Sequence, residues 1–148
     1  MVRTFVCAVL IILFSCQSKT GEIYSTAEGA IKGYDPVAYF KEGRPVKGEE
    51  KYVTEWKNAK WYFSSQANLE AFDSNPLKYA PQYGGFCAFG TAGGYKASTE
   101  PDAWTIVDDK LYLNYNTDVK REWMKDQTRL IHKADSNWVT VRQTAFSE

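Results

Sequence analysis

Two pairs of short β-rich runs constrain this chain more than any other feature. Tyr52-Val53-Thr54-Glu55-Trp56 and Trp61-Tyr62-Phe63 flank Lys57-Asn58-Ala59-Lys60, and Trp104 to Val107 and Leu111 to Tyr115 flank Asp108-Asp109-Lys110. Aromatic and β-branched residues interrupted by a few turn-formers predict two antiparallel hairpins. Each pair is followed by a capping residue and a helical pattern. Ser64 or Ser65 caps a short helix reaching about Asp73, with Leu69 and Phe72 on one face, and Asn75-Pro76 stops it. Leu77 to Ala80 adds one more turn. Asn116 or Thr117 caps a last helix in which Val119, Trp123, Leu130, Ile131, Ala134 and Trp138 keep helical spacing. The pattern predicts an α+β fold: a small single domain of antiparallel hairpins packed with short helices and a C-terminal amphipathic helix.

Composition decides what can hold such a domain together. The 148 residues include 8 Phe, 5 Trp and 10 Tyr, but one His and three Cys, so an aromatic core is well supplied and a zinc site of several Cys and His is not. Lys and Arg number 18 and Asp and Glu 18, and this zero balance argues against a nucleic-acid partner, which calls for a basic face.

The first residues read as an export signal. Arg3 gives a positive start, and Phe5 to Phe14 is an unbroken apolar run of ten residues. As a helix the run rises about 15 Å, half of a bilayer core, which suits a signal-peptide hydrophobic region and not a span. Leu13-Phe14-Ser15-Cys16 resembles the lipobox of bacterial lipoproteins, in which cleavage precedes a Cys that carries lipid. The resemblance implies a signal peptide over residues 1–15, lipid attachment at Cys16 and a tether over 16–27. Cleavage also removes Cys7, so Cys87 is left as the free thiol and no internal disulfide can form. The expected domain spans 28–139, and 140–148 reads as a flexible tail.

Within that domain, Gly33-Tyr34-Asp35-Pro36 forms a turn ahead of the apolar stretch Val37-Ala38-Tyr39-Phe40, and Lys41 to Glu50 reads as a loop. Residues 84–94 hold five glycines and read as a loop interrupted by Phe86-Cys87-Ala88-Phe89. That loop lacks the Gly-Lys-Ser/Thr ending of a phosphate-binding loop and the spacing of a dinucleotide fingerprint.

Five separated motifs, in order, carry a family resemblance. They are Gly33-Tyr34-Asp35-Pro36-Val37-Ala38-Tyr39-Phe40, Trp61-Tyr62-Phe63-Ser64-Ser65 with Phe72, Asn75-Pro76 and Lys78-Tyr79, then Tyr83-Gly84-Gly85-Phe86-Cys87-Ala88, Leu111-Tyr112-Leu113-Asn114-Tyr115, and Ala134-Asp135-Ser136-Asn137-Trp138. Together they resemble the YHS-domain family, and within it the exported single-domain branch of YHS-domain (seleno)proteins. The metal-associated modules of that family, as on copper-transporting ATPases, carry cysteines where this chain has Ala38, Ser64 and Asn68. None of the three supplies a thiolate, so the resemblance implies the fold and not that metal site.

Cys87 is the residue whose chemistry is most distinctive. In some members of the exported branch a selenocysteine stands in this Gly-Gly-Phe-Cys-Ala context, which implies redox work, whereas a Cys between two Phe also reads as a buried inert thiol. His132 is the candidate base for Cys87 if the last helix packs over the glycine loop. Cys87, His132 and Met124 are the soft donors left for any rearranged metal site, and no metal site is assigned. The expected ligand-binding residues are Tyr83, Gly84, Gly85, Phe86, Cys87 and Tyr95, with the thiol at the floor of a groove lined by Tyr83, Phe86 and Tyr95. No catalytic set and no cofactor follow from these residues. The preferred reading is a lipid-anchored cell-envelope binding module for a small ligand, metal or protein partner, facing the periplasm or carried on the outer membrane. The alternative is a thiol-based oxidoreductase using Cys87.

Overall fold

The structure, a computed structural model, describes residues 21–147. The expected signal sequence and Cys16 lie outside the described residues. Within them the fold is α+β, as the sequence pattern predicts, with three two-stranded antiparallel hairpins and short helices.

The first hairpin, β1 (Ser25–Thr26) and β2 (Gly29–Ala30), is followed by a single 3-10 turn and by helix α1 (Pro36–Lys41). The apolar stretch after Gly33 is therefore helical. Asp35 starts it, accepting from the N–H groups of Val37 and Ala38, and Pro36 stands at the first helical position, where its missing N–H is not needed. The second hairpin pairs β3 (Glu49–Trp56) with β4 (Ala59–Phe63) through Lys57 and Asn58, whose φ angles of 51° and 59° make the tight turn that matches strand twist. Ala59, Trp61 and Phe63 alternate inward along β4. Helix α2 (Gln66–Ser74), capped by Ser65, lays Phe72 on that face, 5.2 Å from both the Trp61 and Phe63 rings, and α3 (Pro76–Tyr79) follows.

The glycine-rich stretch is not all loop. Residues 88–92 form helix α4 (Ala88–Ala92), capped by Cys87. The third hairpin, β5 (Trp104–Val107) and β6 (Lys110–Leu113), turns on Asp108 and Asp109. Strand β6 divides the interior. Leu111 and Leu113 join the larger apolar cluster with Val37, Tyr39, Trp61, Phe63 and Phe72, while Tyr112, on the other face, joins a smaller cluster with Tyr83, Ala88, Trp123, Leu130 and Ala134.

Three expectations are corrected. The expected last helix is two, α5 (Thr117–Met124), capped by Asn116, and α6 (Gln127–Val141), with Asp126 out of helical geometry between them. Trp123 and Leu130 are seven residues apart, which keeps one helical face, so the apolar pattern cannot register a break in the polar run Lys125 to Arg129. The expected tether is partly core: Ile23 and Tyr24 are buried, and the Tyr24 N–H donates to Gly84 O at 2.9 Å. The expected tail is docked as well. Val141 is buried and the Phe146 ring lies 5.1 Å from Phe86 and 6.0 Å from Tyr24. In both ends isolated apolar residues inside polar sequence anchor the segment. Lys96 finishes the closure, its Nζ donating to the carbonyls of Gly21, Arg142 and Thr144 at 2.9, 3.1 and 2.7 Å.

Candidate functional site

Among the described residues three places gather chemistry, and they differ in how much of it is already used. The first surrounds Asp35, whose side chain is fully buried. Oδ1 accepts from Val37 and Ala38 N–H at 2.8 and 3.2 Å. Oδ2 accepts from Ser64 N–H at 2.8 Å, Ser64 Oγ at 2.7 Å and Asn68 Nδ2 at 2.7 Å. Ala38, Ser64 and Asn68, which sequence reasoning set aside as thiolate-less, thus meet around one carboxyl. Lys41 Nζ donates to Asn68 Oδ1 at 3.3 Å and closes the outer side. Five donors on two oxygens leave no lone pair facing outward for a ligand. The arrangement ties the start of α1 to the start of α2, and that is its work.

The second place is Cys87, 2% exposed. As the cap of α4, its Sγ accepts from Gly90 N–H at 3.4 Å, and its S–H donates to Asn114 Oδ1 at 3.5 Å, the oxygen that also takes Phe89 N–H at 3.1 Å. Burial pushes the thiol above its ordinary range, against the opposing pull of the N–H groups of Gly90, Tyr115 and Phe89. Asn114 is fully buried, and its Nδ2 has no hydrogen-bond partner among the described residues. Its role was missed from sequence, where Asn114 reads as part of the run Leu111 to Tyr115 and nothing local brings it to Cys87.

His132 is exposed on α6 and is not a partner of the Cys87 sulfur. Met124 is 52% exposed on α5. Among the described residues no three His, Cys, Asp or Glu side chains stand close enough to hold a metal ion.

The third place is a cleft of about 250 Å³. Trp56, Tyr83 and Trp138 line it together with Leu77, Ala80 and Pro81, and the charged groups around it are Glu22, Lys57 and Asp135. Of the expected ligand-binding residues it holds Tyr83 and Gly84. Phe86 is instead packed among Tyr24, Trp138 and Phe146, and Tyr95, 56% exposed, leans on Gly90 and Gly93. Tyr83 and Phe86 both pack against Trp138, but of the three expected groove rings only Tyr83 lines the cleft.

The 3-10 turn over Gln82–Gly85 is held in an unusual conformation. Tyr83 has φ 56°, and Gly84 has φ 62° with its Cα so close to the preceding chain that a Cβ would stand 1.7 Å from Glu22 O. A bulky residue in the left-handed region costs on the order of 1–3 kcal/mol and persists only where its surroundings enforce it. Here the enforcement is visible: Tyr83 Oη donates to Asp135 Oδ1 at 2.8 Å, and its ring lies 5.9 Å from those of Tyr112 and Trp138. Burial, with the Asp135 contact, pushes the Tyr83 phenol well above its ordinary range.

Residues 37–83 match the YHS domain. The YHS match runs from α1 through both strands of the second hairpin, α2 and α3, and ends on the wall of the cleft. It contains Ala38, Ser64 and Asn68, and it stops short of Cys87 and Asn114. No curated protein and no solved structure matches the chain.

Proposed function

We propose that this YHS-domain chain is a binding module of the cell envelope, exported by residues 1–15, anchored through lipid on Cys16, and holding a small ligand in the cleft between Trp56, Tyr83 and Trp138. The observation that carries the binding reading is the construction of that cleft. Its lining comes from four separated stretches of chain, and its wall at Tyr83-Gly84 is kept in a costly conformation by contacts on both sides. Concave sites with aromatic walls and a few fixed charges are the usual form of small-ligand sites. A ligand that stabilises the folded protein in proportion to its concentration tests this. A set of small molecules of mixed charge is expected to include some that raise the melting temperature of the native protein and fail to do so with Leu77→Arg or Trp138→Leu. If no molecule discriminates the native protein from those variants, the binding reading falls. The anchor is tested separately: mass spectrometry is expected to find the mature chain beginning at a lipid-modified Cys16.

A second reading, thiol redox work at Cys87, is supported by one observation, the buried Asn114 amide whose Nδ2 is left unpartnered beside the sulfur's hydrogen-bond acceptor. Alkylation of the native protein at graded pH separates the two. Labelling only on unfolding leaves the thiol structural, whereas rapid labelling at neutral pH puts the redox reading first.

A further inference from the structure

The charges of the cleft name the chemistry of what it takes, an inference that rests on the binding reading above. Two carboxyl groups, Glu22 and Asp135, line the cleft against one ammonium, Lys57. Glu22 is already answered. Lys57 Nζ stands 3.0 Å from its Oε2, and that contact holds the Glu22 carboxyl below its ordinary range. The same ammonium lies 5.1 Å from the centre of the Trp56 ring. The chain has therefore placed one of its own ammonium groups between a carboxylate and an indole face, two of the groups that bind such cations best.

The rest of the cleft offers the same parts without the cation. Asp135 makes no ion pair among the described residues and accepts only the Tyr83 hydroxyl, on Oδ1. Beside it the Tyr83 and Trp138 rings meet at 64°, and Ala80 and Pro81 give an apolar floor. We infer that the cleft binds a small organic ammonium ion with an apolar body, its charge on Asp135 and its body against Trp138 and Pro81. An anion would meet a lining with excess negative charge. A neutral ligand would cover Asp135 without answering it, and burying an unanswered charge is unfavourable.

The test uses three probes of one shape: 2-phenylethylamine, 2-phenylethanol and phenylacetate, titrated calorimetrically into the native protein. The amine is expected to bind saturably and most tightly. Asp135→Asn, which keeps an acceptor for Tyr83 and so the fold, is expected to weaken the amine about tenfold and leave the alcohol unchanged. Lys57→Gln, which frees Glu22 and the Trp56 face, is expected to tighten the amine. Equal or better binding of the alcohol or the acid overturns the ammonium inference while leaving a binding cleft. Failure of all three to bind overturns it too, and the mixed-charge set then decides the broader reading. An amine affinity indifferent to both substitutions places the amine elsewhere and overturns the assignment to this cleft.

Discussion

Asp35 and Cys87 hold the same position in their helices, and the two caps are built on opposite terms. Each sits just before the first helical residue and accepts a main-chain N–H two or three residues on. Around Asp35 every oxygen is occupied, and the donors come from the start of the next helix as well as its own. Around Cys87 the sulfur accepts from Gly90 N–H at the long distance of 3.4 Å, and the Asn114 amide that accepts its proton keeps an unused donor. The contrast teaches what a shared local motif leaves open. A cap whose hydrogen bonds are exhausted can only hold structure, and one with a spare donor in a dry site retains capacity for a polar group.

The contrast can be broken by substitution, the largest effect first. Asp35→Ala strands five donors in the interior and is expected to cost about 3–5 kcal/mol in urea unfolding, with Asp35→Asn intermediate. A loss below about 1 kcal/mol for the alanine variant would show that the network is ornamental. Asn114→Ala removes the acceptor of Phe89 N–H and of the thiol, and about 1–2 kcal/mol is expected, less than at Asp35 because its Nδ2 contributes no bond. Equal losses at the two sites would erase the distinction between them.

Cys87→Ala, which leaves a small cavity and an uncapped helix, is expected to cost about 1 kcal/mol. Cys87→Ser is expected to cost less, since a hydroxyl inherits both the Gly90 donor and the Asn114 acceptor and serine is a favoured cap. From sequence alone the opposite order follows, because a buried hydroxyl without partners is penalised. A serine variant less stable than the alanine one would return Cys87 to that simpler description.

The smallest effect is one of pH. The folded thiol titrates above its ordinary 9.0, chiefly through burial, so the unfolded chain loses that proton first. Its contribution is complete below about pH 9 and fades as the pH climbs through the folded value. The stability difference between the native protein and Cys87→Ser is therefore expected to shrink above pH 9, and a constant difference in alkaline denaturation curves would contradict the raised value. Tyr83 and Tyr112, the latter pushed up to about 12 mainly by burial, lose stability in the same direction in both proteins and cancel from the comparison.

What the sequence discloses here is whatever its neighbours decide. The turns within Lys57–Lys60 and Asp108–Lys110, the caps expected at Ser64 or Ser65 and at Asn116 or Thr117, and the stop at Asn75-Pro76 are local; the structure tightens the turns to Lys57-Asn58 and Asp108-Asp109 and the caps to Ser65 and Asn116. The Asp35 network is not local. Its own cap is readable, but Ser64 and Asn68 arrive from 29 and 33 residues away. The cleft is more distant still, bringing Glu22, Trp56, Tyr83 and Trp138 to one place. Tyr24 and Phe146 escaped for another reason: a single ring in a polar stretch has no periodicity to betray it, and the Phe86 ring on which both pack is far off in sequence.

Lys96 gives the molecule a mechanical property. One ammonium grips Gly21 at one end of the described chain and Arg142 and Thr144 near the other, so the two ends leave the fold side by side. Tension drawn through the segment ahead of Gly21 reaches this clamp before it reaches any strand. The bond to Gly21 then opens first, and after it the short stretch that the Tyr24 N–H fastens to Gly84, on the wall of the cleft. A pull on that segment would thus be felt at the cleft, which Glu22 and Ile23 line, as soon as Ile23 begins to leave the larger apolar cluster.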